Sequence, residues 1–162
     1  HLARSQRLGA RHRLLLKTAI LLHDTGKYVN LTNHAMCSSY IIEASELIGL
    51  TEEEQTMIMI IARYHENGEP AVDDADYMGL GKKNRVAAAK LIAIIQLANS
   101  LDASHKQKLD LVSVRAEEGN FILRVRAGED FLLEQWMFQK HSEFFRAVFG
   151  LQPELKMKRG NV

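Results

Sequence analysis

Leu21-Leu22-His23-Asp24-Thr25-Gly26-Lys27 is the stretch around which this chain is organised. A histidine and an aspartate stand side by side at the end of the largely apolar run Leu16-Lys17-Thr18-Ala19-Ile20-Leu21-Leu22, and a glycine follows them. The run predicts a buried helix over about 12–25, with the His-Asp pair at its C-terminal tip. Two titratable groups at the tip of a buried helix are costly unless something binds them. A divalent metal suits both, because imidazole and carboxylate are ligands for Zn, Fe and Mn. The plainer structural account is that Asp24 caps backbone groups at the helix end, or accepts a hydrogen bond from His65 or Lys27.

The totals set the frame. At 162 residues, with 46% apolar and 25% charged residues, the chain has the balance of a globular domain with room for a small second unit. A net charge of +1 gives no bulk pull toward nucleic acid or a membrane surface, and neither partner is expected. The single Cys37 excludes an internal disulfide framework and fits a reducing, cytoplasmic compartment. No apolar run approaches the roughly 18 residues of a membrane span, and a polar stretch follows the basic start His1–Arg7, against a signal peptide. The start at His1, almost directly before a helix, predicts a fragment of a longer protein.

Along the chain, Asn33 is placed to cap a second helix over about 34–48, with Met36, Tyr40, Ile41, Ala44, Leu47 and Ile48 as its apolar face. Thr51-Glu52-Glu53-Glu54 is a capping box for a third helix, whose run Met57–Ala62 is apolar on all sides and therefore central. A loop over about 66–81 contains Pro70 and several acidic residues. A fourth helix is predicted over about Lys82–Ala103. The pattern then changes to period two over about 109–116 and 121–126, around a turn at Glu117-Glu118-Gly119-Asn120. Phe121, Leu123 and Val125 share one face of the second strand, and Arg124 and Arg126 the other. An amphipathic helix over about 130–149, with Trp136 among its apolar residues, and a short strand around Leu155–Lys158 complete the chain. The expected class is mainly α (α+β): a helical bundle followed by a small β-β-α-β unit.

Seven histidines are present. His1, His105 and His141 are expected at the surface, and His12 has no obvious carboxylate beside it. His23, His34 and His65 differ, because each lies at a helix end beside polar, turn-forming residues. The fourth helix adds Asn99 and Asp102 in Leu97-Ala98-Asn99-Ser100-Leu101-Asp102. Helix ends converging in a bundle are where all-α proteins build metal sites, and a metal there would lower the pKa of a bound water for attack on a phosphate ester.

His23-Asp24-Thr25-Gly26-Lys27 resembles the HD signature of metal-dependent phosphohydrolases. More of the chain, over most of residues 8–159, resembles the C-terminal region of the exopolyphosphatase and guanosine pentaphosphate phosphatase (Ppx/GppA) family. The markers are Arg13-Leu14-Leu15-Leu16 ahead of Leu22-His23-Asp24, then Ala62-Arg63-Tyr64-His65 before a proline. Further on come Leu97-Ala98-Asn99-Ser100-Leu101-Asp102-Ala103-Ser104-His105 and Ala147-Val148-Phe149-Gly150. The resemblance implies an HD-like helical domain over 1–108, truncated at its N-terminal end, and a small α+β unit over 109–162. It also implies that hydrolysis of polyphosphate or guanosine pentaphosphate belongs to N-terminal actin-like domains. This region would contribute to homodimerisation and to holding the anionic polymer, with no catalytic residue of its own.

Two departures from an active HD site follow. The upstream histidine of HD enzymes has no counterpart, and Asn99 stands where the family pattern has an aspartate. His23, Asp24, His34, His65 and Asn99 are then the remnant of an HD metal site for Mg, Mn, Fe or Zn. Lys27, Lys82, Lys83 and Arg85 are the phosphate-binding candidates, against the plain account of solvated surface lysines. The alternative reading is a metal-dependent HD phosphohydrolase acting on a nucleotide or phosphate ester, with Lys27 steadying a phosphate. A third is a purely structural dimerisation module.

Overall fold

The computed structural model describes residues 8–158. They form two compact units that divide between Gln96 and Leu97, inside one long helix.

The first unit opens with α1 (Ala10–Leu22). This helix is not buried all round, as its apolar run suggested. Leu15 and Ala19, four residues apart and so on one face, point inward, while Leu21 is 80% exposed. It also stops a turn early. The Thr25 hydroxyl donates to Leu22 O (2.7 Å), and the chain tightens into a 3-10 turn, Thr25–Tyr28.

That turn fits against α2 (His34–Glu43) because residue 26 is glycine. A Cβ there would collide with His34 O, Ser38 N and Cys37 Cβ. Ser38 completes the join, accepting from Gly26 N (2.8 Å) and donating to His23 O (2.5 Å). The buried face of α2 is therefore His34, Ser38, Ser39 and Ile42. The expected apolar face is wrong in phase: Tyr40 and Ile48 are exposed. Close approach of the glycine turn leaves room for only a small side chain at Ser38. Asn33 occupies the N-cap position but makes no side-chain cap bond; Asn30 Oδ1 accepts from Thr32 N and Asn33 N instead. The helix ends at Glu43 rather than near 48. Gln55 Nε2 donates to Ile42 O (2.9 Å) and Ser45 O (2.7 Å), satisfying carbonyls at the helix end.

α3 (Glu52–Arg63) begins at the capping box as the sequence indicates, with Thr51 Oγ1 accepting from Glu54 N and the Glu54 carboxylate accepting from Thr51 N. Met57–Ala62 are all buried, and Ile58, Ile60 and Ile61 have no exposure at all. The following loop carries a short helix, α4 (Ala75–Gly79), capped by Asp74. Arg63 holds it by ion pairs to Asp74 (3.1 Å) and Asp76 (2.7 Å), and the Tyr64 hydroxyl donates to Asp74 Oδ2 (2.7 Å). Burial and the Asp74 carboxylate push the Tyr64 hydroxyl up to about 12. α5 (Lys82–Ser100) follows, and its Gln96 Nε2 donates to Tyr64 O (2.6 Å) and Gly68 O (2.8 Å).

In the second unit, β1 (Leu109–Glu117) and β2 (Asn120–Ala127) pair antiparallel through a tight turn, where Glu118 and Gly119 both take positive φ. α6 (Leu132–Phe149) then crosses to β3 (Gln152–Met157), which lies parallel to β2, so the sheet order is β1-β2-β3. Phe121, Leu123 and Val125 are buried and Arg124 and Arg126 exposed, as the alternation requires. Phe145 stacks on Phe121 and Phe149 at ring separations of 5.0 and 4.5 Å.

Two expectations on α6 are corrected. Trp136 is 61% exposed, with Lys140 Nζ 5.9 Å from its ring centre. His141 is buried rather than at the surface, with Ser100 Oγ 2.8 Å from its Nδ1. On the same helix as His141, the fully buried Glu134 accepts from Ser104 N and Oγ. The described residues are mainly helical, with a small three-stranded sheet.

Candidate metal centre

His23, Asp24, His34 and His65 converge in the first unit. His23 is the residue after α1, Asp24 precedes the 3-10 turn, His34 opens α2, and His65 lies two residues beyond α3. The His65 ring sits 4.5 Å from that of His23 and 5.3 Å from that of His34, edge-on to both. Asp24 Oδ1 lies 3.5 Å from His23 Nε2 and 3.7 Å from His34 Nε2. A fifth group joins them: Glu66 Oε1 is 3.4 Å from His34 Nε2. Ligand atoms of His23, Asp24 and His65 lie within 4.8 Å of one another, and so do those of His34, His65 and Glu66.

The three imidazoles share one local device. Nδ1 of His23, His34 and His65 faces the carbonyl three residues earlier, on Ile20 (2.6 Å), Leu31 (3.1 Å) and Ala62 (2.7 Å). A carbonyl oxygen only accepts, so each Nδ1 carries the proton and donates. In the neutral ring Nε2 then keeps its lone pair, the arrangement that outer hydrogen bonds impose on metal-ligating histidines. Burial lowers the His65 pKa, and the neighbouring His23 and His34 add to that against the opposing pull of Ala62 O and Glu66. His65, only 2% exposed, is held neutral.

Asp24 is ionised. Burial alone would raise its carboxyl, but the Lys27 ammonium, 2.6 Å from Oδ2, and the nearby His23 and His65 hold it below the ordinary carboxylate value. His34 Nε2 is buried and makes no hydrogen bond.

Residues 3–143 match the family model for Ppx/GppA phosphatase, domain III. The chain belongs to the Ppx/GppA phosphatase family. The match takes in every element from α1 to β2 and most of α6, so the histidine–carboxylate cluster lies wholly inside the Ppx/GppA domain III region. Of the other candidate residues in this Ppx/GppA chain, Asn99 is exposed on the last turn of α5, in the second compact unit. Lys27 is tied to Asp24. Lys82 and Lys83 are exposed at the start of α5, and Arg85 Nη1 turns back to Met78 O (3.5 Å) and Met78 Sδ.

Glu66 is the residue that reading the sequence missed. Its signal is its place beside His65 in Tyr64-His65-Glu66-Asn67-Gly68, the one acidic residue directly next to a candidate histidine apart from Asp24.

Proposed function

We propose that this chain is the HD-like C-terminal region of a Ppx/GppA-family phosphatase. In this reading it contributes to homodimerisation and to holding polyphosphate or guanosine pentaphosphate in the cytoplasm. Phosphoanhydride hydrolysis is carried out by actin-like domains that are not among these 162 residues. The observation that supports polymer binding is the start of α5. Lys82, Lys83 and Arg85 cluster there, and no acidic residue of the helix itself lies in the first turn. A helix of 19 residues presents a partial positive charge at that end, which adds to the three cations. One carboxylate stands at the rim, where Glu53 Oε1 accepts from Gly81 N (2.9 Å). Binding through such a patch is mainly coulombic and weakens steeply with salt.

The test is polyphosphate binding by fluorescence anisotropy at low and physiological ionic strength. Binding that falls with salt, and falls by at least about tenfold in a Lys82→Glu/Lys83→Glu variant, supports the reading. Absence of binding at low salt sinks it and favours a purely structural dimerisation module.

The histidine–carboxylate cluster favours a second reading, a metal-dependent HD phosphohydrolase acting on a nucleotide or phosphate ester. A bound divalent ion would supply a hydroxide nucleophile there. Hydrolysis of such esters by the metal-loaded chain, abolished by His23→Ala, is the expected result. A metal-loaded chain with no turnover on nucleotides or simple phosphate esters eliminates it.

A further inference from the structure

We infer that the outer face of the three-stranded sheet in the second unit binds double-stranded DNA through its phosphates. The inference is independent of the polyphosphate reading, which rests on α5.

The face follows from the register. Phe121, Leu123 and Val125 of β2 point inward, so Asn120, Ile122, Arg124 and Arg126 point outward. Directly opposite residues of paired strands share a face. β3 therefore adds Gln152, Glu154 and Lys156, and β1 adds Glu117, Arg115, Ser113 and Asp110. Lys158 extends the β3 row. Its N–H donates to Val125 O (2.8 Å), the relation that Gln152 N has to Gly119 O (2.9 Å) beside the paired Asn120. Lys158 is thus level with Arg126.

Two like-charge pairs then stand side by side, Arg124 with Lys156 and Arg126 with Lys158. Neighbouring strands are about 4.8 Å apart and alternate residues along a strand roughly 6.6 Å, so the four cations form a tight two-by-two array. Like charges directly opposite one another destabilise a sheet. All four side chains are exposed. Lys156 has one partner, Glu154 at 2.6 Å, and Arg115 is taken by Glu117 at 3.5 Å. Asp110 stands opposite Arg126 on the other ladder, yet among the described residues Arg124, Arg126 and Lys158 form no ion pair. An anion laid on this face would relieve the repulsion that the register imposes. The net charge of +1 for the chain does not disclose it.

The surroundings of the array select the anion. It lies on an open sheet face rather than in a cleft, which suits a macromolecule better than a small ligand. Ile122 is the one apolar side chain among the outward positions of β2, and none of the outward positions is aromatic. The face therefore has nothing to stack on the bases of a single strand, and nothing to insert into a lipid surface. A DNA duplex needs neither. Its bases are already stacked, and it carries one negative charge per about 1.7 Å of axis. Ser113, opposite Arg124, adds a hydroxyl donor for the same phosphate oxygens. Contacts of this kind are independent of base sequence.

The experiment is fluorescence anisotropy of the whole chain with a labelled DNA duplex of about 20 base pairs, over a series of salt concentrations. Four cations on phosphates should give a log–log salt slope of about −3.6. Arg124→Gln/Arg126→Gln should weaken binding at least about tenfold and roughly halve the slope, and so should Lys156→Gln/Lys158→Gln. Arg146→Gln, an exposed charge on α6, should change binding far less. Removing either side of the like-charge pairs should leave the melting temperature unchanged or higher. Absence of duplex binding at low salt overturns the inference. So does an unchanged slope in both paired variants, or a melting temperature that falls in both. Tighter binding to a single strand of equal length, or to phosphatidylserine vesicles, overturns it as well.

Discussion

Lys27 takes one oxygen of Asp24 and leaves the other for the histidines: Nζ lies 2.6 Å from Oδ2, while Oδ1 faces His23 and His34. The lysine therefore acts on the cluster through the aspartate, by fixing its rotation. Lys27→Met keeps the length of the side chain and removes the ammonium. Metal affinity is expected to fall by about tenfold, the size seen when an outer partner of a ligand is lost. Calorimetric titration of the variant measures it, and an unchanged affinity would separate Lys27 from the site.

Gly26 decides how closely the turn after α1 approaches α2. In Gly26→Ala the new methyl meets backbone atoms of His34 and Ser38, which cannot move aside as a flexible side chain would. A loss of about 1–3 kcal/mol is expected in chemical denaturation. Ser38→Ala should cost a similar amount, about 1–3 kcal/mol, because it leaves the buried Gly26 N–H without an acceptor.

Gln55 ends α2 from the outside. Its Nε2 serves carbonyls of Ile42 and Ser45, so Gln55→Leu retains bulk but removes the donor to both, leaving Ile42 O to the backbone N–H of Ser45. About 1–3 kcal/mol of stability should be lost. Thr51→Ala, four residues earlier, removes only the cap and should cost about 1 kcal/mol. Denaturation midpoints of the two variants test that order.

Glu54 makes the fold acid-sensitive. The Arg11 guanidinium, 2.6 Å away, and the Thr51 backbone N–H hold its pKa down at about 2, from 4.5. A carboxyl whose folded pKa lies below its unfolded value contributes its full stability above 4.5 and loses it as pH falls toward 2. Melting temperature should therefore decline over that interval in the parent chain and decline less in Glu54→Gln. Equal slopes would count against this contribution.

The elements were largely legible because their signals are local. The capping box at Thr51 and Glu54 closes within one turn, and the all-apolar Met57–Ala62 run becomes the buried centre of α3. The alternation of Phe121, Leu123 and Val125 becomes the inner face of β2. Errors appeared where a distant group intervened. α2 ends early because Gln55, twelve residues beyond Glu43, takes its carbonyls. Ser38 stands on its inner face where a glycine turn from another segment presses on it. His141 is buried against Ser100, a partner 41 residues away in the chain.

The candidate centre divides the same way. The sequence alone determined the family, the helical class and four of the cluster residues, since His23, Asp24, His34 and His65 each sit at a helix end that local patterns disclose. Only the tertiary structure decided that Glu66 joins them, that Lys27 is spent on Asp24, and that His34 Nε2 faces carboxylates with no donor between. Those facts depend on three helix ends meeting at one point, and the meeting is set by packing between segments far apart in the chain. No pattern within a few residues of His34 carries that information.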